Sequence, residues 1–105
     1  MAIERLVGLW ITDDDIYSKY REEMIVILQT YGGGFSYDFK IAQTLKSETA
    51  EPINRLFTIY FKDESSMNSF FSNDEYLNIK KLYFEKSVAF TTEIARYQKK
   101  SYNHE

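Results

Sequence analysis

Apolar residues recur along the chain in two rhythms, and the switches between them mark the elements. From Ile3 to Ile11 they alternate. Ile3, Val7, Leu9 and Ile11 fall on one face of a strand, with Arg5 interrupting; Leu6, Gly8 and Trp10 fall on the other. From Thr12 the rhythm lengthens. Ile16, Tyr17, Tyr20, Met24, Ile27, Leu28 and Tyr31 make a broad stripe at helical spacing, while Ser18, Lys19, Arg21, Glu22 and Glu23 face water. The acidic run Asp13-Asp14-Asp15 suits the positive end of this helix, and Gly32-Gly33-Gly34 ends it. Phe35 to Ala42 alternates again, with Phe35, Tyr37, Phe39 and Ile41 on one face and Ser36, Asp38 and Lys40 on the other. Gln43 to Asn54 is polar, holds Pro52, and reads as the connection of a long hairpin.

The stretch Arg55 to Phe84 organises the rest. Leu56 to Phe61 is apolar on both faces: Phe57, Ile59 and Phe61 on one, Leu56, Thr58 and Tyr60 on the other. That pattern predicts a central strand covered on both sides. Asp63 caps a helix carrying Met67, Phe70 and Phe71. Ser72-Asn73-Asp74-Glu75 has the spacing of a capping box, so a second helical piece starts near Asn73, with Tyr76, Ile79, Leu82 and Tyr83 inward. The last strand is Val88 to Tyr97. Val88, Phe90, Thr92, Ile94 and Arg96 share one face; Ala89, Thr91, Glu93, Ala95 and Tyr97 share the other.

Strand, helix, strand, strand, helix, strand is the ferredoxin-like βαββαβ order. The expected fold is α+β: one domain over residues 1–97, a four-stranded antiparallel sheet with helices on one face, and a polar tail at 98–105 that frays. The helix-facing side should carry Val7, Leu9, Phe35, Phe57, Ile59, Phe61, Val88 and Phe90. The far side then carries Leu6, Trp10, Leu56, Tyr60, Ala89, Ala95 and Tyr97, mixed with Asp38, Lys40, Thr58, Thr91 and Glu93. That is too apolar for a surface left in water. A second copy related by a two-fold axis would cover it, pairing the sheets in a homodimeric barrel.

Composition narrows the chemistry. The 105-residue chain has no cysteine, which removes disulfides and thiolate chemistry and fits a reducing, cytoplasmic compartment. The amino terminus does not read as a signal peptide, and no apolar run is long enough to span a bilayer. A net charge of −3 argues against nucleic acid and anionic membranes as partners. The third strand also lacks the glycine and aromatic register of an RNA-recognition domain. The glycines after the first helix match no phosphate-loop pattern. Asp13 to Asp15 is explained by capping, so no metal is expected. The aromatic stock is large: nine Tyr, eight Phe and one Trp.

Tyr17 and Tyr20, then Tyr31-Gly32-Gly33, the apolar third strand and the Ser72-Asn73-Asp74-Glu75-Tyr76 stretch together resemble the dimeric α+β barrel superfamily. Within it, the chain is similar to a bacterial domain family of unknown function marked by Tyr-Gly-Gly and Ser-x-x-Glu-Tyr. That pattern often has an arginine seven residues after its last tyrosine; here Tyr83 stands there, and the anion-binding role of that arginine is not carried over. The resemblance implies the fold, a homodimer, and a superfamily that ranges from cofactor-free monooxygenases and haem-degrading enzymes to lactone isomerases.

The one histidine, His104, sits in the tail, which disfavours haem ligation, histidine acid–base catalysis and a Ser-His-Asp set. No cofactor is expected. The function expected is binding of a small, partly apolar molecule between sheet and helices, with Trp10, Tyr20, Tyr37 and Tyr60 as the lining candidates. The alternative is a cofactor-free enzyme, monooxygenase- or isomerase-like, on an aromatic or polyketide-like compound. That alternative needs Glu93 or Asp38 in a pocket with a raised pKa; carboxylates locked in ion pairs favour binding.

Overall fold

The computed structural model describes residues 1–100, so His104 and the end of the tail expected to fray lie outside the described residues. The elements are β1 (Ile3–Ile11), α1 (Asp14–Thr30), β2 (Gly34–Lys40), β3 (Arg55–Phe61), α2 (Glu64–Ser72), α3 (Asp74–Ile79), a π-helical turn (Lys80–Phe84), a short helical turn α4 (Glu85–Ser87) and β4 (Val88–Gln98). The sheet is antiparallel in the order β2-β3-β1-β4, and the helices cover one face. This is the ferredoxin-like α+β fold.

α1, α2 and α3 each start where a side chain takes up a free amide of the first turn. Asp13 Oδ1 accepts from Ile16 N at 3.0 Å, and Asp63 Oδ1 from Ser66 N at 2.7 Å. The joint between α2 and α3 departs from the expected capping box. Asn73 is the cap: its Oδ1 accepts from Tyr76 N at 2.9 Å. Ser72 still belongs to α2, and its hydroxyl is committed to the Asn68 carbonyl. Only Asn73 has the extended backbone that an N-cap needs. At the other end of α1, Gly32 takes a φ of 74°, donating to Gln29 O while Gly33 donates to Leu28 O. These two bonds form the Schellman closure.

The core lies between helices and sheet. Leu9, Phe57, Ile59 and Phe61 meet Tyr17, Met24, Leu28 and Phe70 there. Burying an aliphatic or Phe side chain of this kind contributes about 1.5–3 kcal/mol.

Extra residues in the edge strands reassign several side chains. In β2, Phe35 lies opposite Ile59 but Tyr37 lies opposite Thr58, so Ser36 is a bulge. The Tyr37 amide that leaves the ladder donates to Thr58 Oγ1 at 3.0 Å. Past this point the strand is turned over. Asp38 and Lys40, expected on the far side, lie opposite Phe57 and Arg55 on the helix face; Tyr37 and Phe39, expected beside Phe35, point the other way. In β4, shifts at Ala89 and Ile94 do the same. Phe90 lies opposite Trp10 on the far face, while Thr91 and Glu93 lie opposite Leu9 and Val7 on the helix face. The far face therefore loses charges and gains rings: Tyr37, Phe39 and Phe90 are 61%, 52% and 43% exposed.

The π turn makes a comparable change in the helical layer. It holds more than the usual residues per turn, so the phase slips. Leu82, expected inward, is exposed, and Tyr83 is half-buried. Phe84 turns inward instead, its ring centroid 5.1 Å from that of Tyr20.

Replacing Gly32 by alanine forces a side chain onto a positive φ. We expect Gly32→Ala to lose about 1–2 kcal/mol in urea unfolding; an unchanged midpoint would contradict the role given to this cap.

Candidate functional site

Between the sheet and the helices lies a cavity of about 400 Å³. Its sheet wall carries Arg5, Val7 and Leu9 of β1, Phe35 of β2, Phe57 and Ile59 of β3, and Thr91 of β4. Its helical wall carries Tyr17, Tyr20, Arg21 and Met24 of α1, Phe71 and Tyr76 of α2 and α3, and Lys80 and Phe84 of the π turn. Thr91 is exposed and stands on the edge strand β4, so it marks the mouth.

Two buried phenols meet inside. The Tyr20 and Tyr76 hydroxyls lie 2.9 Å apart. Burial pushes the Tyr20 hydroxyl well above its ordinary pKa, and the Tyr76 partner adds to this. Burial also raises Tyr76. Both stay protonated at neutral pH.

Arg21 was expected to face water, yet its side chain is only 15% exposed. The reason is Asp38, which the Ser36 bulge brings to the helix face. Arg21 Nη1 lies 3.0 Å from Asp38 Oδ2, and Arg55 donates Nε and Nη2 to the same carboxylate at 2.8 and 2.9 Å. Arg21 Nε donates to the Tyr17 hydroxyl at 2.7 Å, and its guanidinium lies 4.0 Å from the Phe35 ring centroid. Arg21 Nη2 is shut off from solvent and meets no acceptor among the described residues.

Arg5 is held in a similar way. Its Nε and Nη2 donate to Glu93 Oε2 at 3.2 and 3.0 Å, and Arg96 grips both oxygens of that carboxylate. Burial works against the Asp38 carboxylate, but hydrogen bonds from Arg55 and the charge of Arg21 outweigh it and hold its pKa below the usual range. Glu93 is also lowered, chiefly by its hydrogen bond from Arg96. Neither carboxylate lines the cavity. No group of three or more His, Cys, Asp or Glu side chains among the described residues is arranged to hold a metal.

Of the four lining candidates, the structure places Tyr20 in the cavity. Trp10, Tyr37 and Tyr60 lie on the far face of the sheet, opposite Phe90, Thr58 and Glu4. Sequence reasoning passed over Arg5, Arg21 and Lys80 as site residues. For Arg5 the signal was present, as a cation interrupting an otherwise apolar strand face. For Arg21 it was its position four residues after Tyr17, on the same side of α1.

The far face has a polar corner of its own. Glu4 is 5% exposed and accepts from Ser36 Oγ at 2.5 Å, Tyr97 Oη at 2.7 Å and Lys99 Nζ at 3.3 Å. Burial opposes its charge, yet these donors hold its pKa below the usual range, and the bond to Glu4 pushes Tyr97 up to about 12. The β2–β3 connection also reaches this face. Ile53 lies against Gly8, where an added Cβ would come within 2.6 Å of Ile53 Cδ1.

No protein-family model and no curated protein matches the chain. Solved structures do. A protein of unknown function from Rhodopseudomonas palustris aligns with a TM-score of 0.78 at 14% identity, over 95% of this chain and 83% of its own. A DABB-family protein with a ferredoxin-like fold, from Mesorhizobium loti, aligns at 0.57 and 12% identity, over 95% and 98%. A dimeric protein of unknown function with a ferredoxin-like fold, from Bacteroides fragilis, aligns at 0.57 and 10% identity, over 92% and 95%. At such identities the likeness shows the fold. No helix among the described residues is long and apolar enough to cross a membrane.

The Asp38 bridge has a testable pH dependence. Its folded pKa lies below the unfolded value, so its contribution is complete above the unfolded value and is lost as pH falls through the folded one. Asp38→Asn should cost about 1–2 kcal/mol near neutrality, less than a fully buried pair because solvent screens it. In urea unfolding, that gap between wild type and variant should shrink by about pH 3; a gap independent of pH would refute the charge-based account.

Proposed function

We propose that this protein binds a small, partly apolar molecule in the cavity between sheet and helices, and that it does so as a homodimer joined through the far face of its sheet. We also group it with the family of unknown function marked by Tyr-Gly-Gly and Ser-x-x-Glu-Tyr. The observation that carries the binding reading is the cavity itself. About 400 Å³ falls within the range of ligand pockets, and its walls are rings and aliphatic side chains with a few convergent polar groups. A second reading, a cofactor-free enzyme, draws support from the Tyr20–Tyr76 pair, since protonated phenols can stabilise an oxyanion that develops during a reaction. That reading also needs a base, and Asp38 and Glu93 are tied to arginines with lowered pKa values. Binding is therefore favoured over catalysis.

The dimer reading rests on the exposed rings. Tyr37 and Phe39 stack with centroids 5.9 Å apart on the far face, with Phe90 and Ile94 also exposed. A two-fold partner presenting the same surface would bury them.

Two measurements test these readings. A fragment library screened by ligand-observed NMR should yield binders that disappear in Thr91→Trp, which plugs the mouth from an exposed position; binders unaffected by the plug would place the site elsewhere. Light scattering across a dilution series should show a dimer persisting at low micromolar concentration, with Phe90→Glu shifting it to monomer. A wild-type monomer would overturn the dimer.

A further inference from the structure

The cavity is one-sided in its polar chemistry. Three cationic side chains line it, Arg5, Arg21 and Lys80, and no carboxylate does. The neighbouring carboxylates neutralise them only in part. Asp38 is shared between Arg21 and Arg55, and Glu93 between Arg5 and Arg96, so each carboxylate answers two guanidiniums. Lys80 forms no ion pair among the described residues, and its Nζ lies 5.9 Å from the Phe84 ring centroid.

Donors are likewise in surplus. Arg21 Nη2 is buried without an acceptor, a costly state unless something in the cavity accepts from it. Tyr20 and Tyr76 share one hydrogen bond, which occupies one of their two hydroxyl protons and leaves the other to donate. The positive charge of Arg5 is felt at the Tyr76 hydroxyl, so cation and phenol act on the same region. A neutral carbonyl would accept from these donors but would leave the lining cations unbalanced. A ligand with its own N–H groups would bring further donors to walls that hold few acceptors.

We propose that the ligand of this cavity is a compact aromatic carboxylate, its ring packed among the aromatic walls and its anionic oxygens accepting from the tyrosine pair and the lining cations. The inference rests on the cavity being a binding site, and it adds the charge and chemical class of the occupant. An anion here exchanges its hydration for charge-assisted hydrogen bonds, which are about twice as strong as neutral ones, and it balances the local excess of positive charge.

The test uses matched pairs: benzoate and benzamide, 2-naphthoate and 2-naphthamide, titrated into the whole chain by ligand-observed NMR and calorimetry near neutral pH. The acids should bind at least about tenfold more tightly than their amides. Lys80→Met should weaken the acids several-fold and leave the amides unchanged. Tyr76→Phe should also weaken the acids several-fold, and the amides less, since an amide carbonyl accepts from the same hydroxyl; because it removes a buried hydrogen-bond partner, its fold is checked first, and Lys80→Met carries the test alone if that variant does not fold. Equal binding of acid and amide, or preference for the amide, overturns the inference and leaves the cavity reading standing. If no acid or amide binds at millimolar concentration, the inference is overturned, and the fragment screen with Thr91→Trp decides the cavity reading separately.

Discussion

Side chains on a strand alternate between faces, and only an extra residue breaks the alternation. In β2 that residue is Ser36, and much of the molecule depends on it. The bulge is held from two sides: Thr58 takes the displaced Tyr37 amide, and Glu4 takes the Ser36 hydroxyl. Because of it, Asp38 reaches the helix face and draws Arg21 from the water-facing flank of α1 into the cavity wall. The same inversion sends Tyr37 and Phe39 to the far face. One residue thus places the anchor for Arg21 behind the cavity wall and puts apolar surface on the opposite side of the sheet.

The elements and their order were legible in the sequence because they rest on periodicity, which is local. Asp13, Asp63 and Gly32 announced helix ends because their chemistry is local too. What failed was the bookkeeping of faces within edge strands. Phe35 to Lys40 alternates without a flaw as a string, and nothing in it marks Ser36 as the extra residue. The bulge is stabilised by Thr58 and Glu4, far away in sequence. Leu82 was misplaced for a related reason, since helical spacing continues through the π turn in the sequence but not in space. In the cavity wall, Tyr20 belongs to the apolar stripe of α1 and its inward position is legible in the spacing, whereas Arg21 lies off that stripe and reads as solvent-facing; only the bulge, which brings Asp38 to the helix face, turns it inward.

The corrections run in one direction. Asp38, Lys40, Thr91 and Glu93 move to the helix side, and Tyr37, Phe39 and Phe90 move away from it. The expectation of an over-apolar far face was reached with several charges still assigned to it; with those charges removed, the imbalance is larger. Charged side chains and exposed rings are thereby separated by the thickness of one sheet. The Glu4 corner, whose donors satisfy a buried carboxylate, is the exception on the far side.

The strand order has a consequence for how the chain reaches this state. β1 lies at the centre of the sheet, between β3 and β4, although it precedes both in the chain. Its first partner arrives only after α1, β2 and the long β2–β3 connection, and its second only after the whole second helical layer. Nearly all of the sheet's closure is therefore non-local, which slows folding relative to helical domains of the same size. During synthesis, Val7, Leu9 and Ile11 wait without a partner strand while α1 forms. The amphipathic stripe of α1 is the apolar surface that follows most closely in the chain, and it packs on that same face in the finished fold, so the strand has a cover nearer in sequence than either of its partner strands.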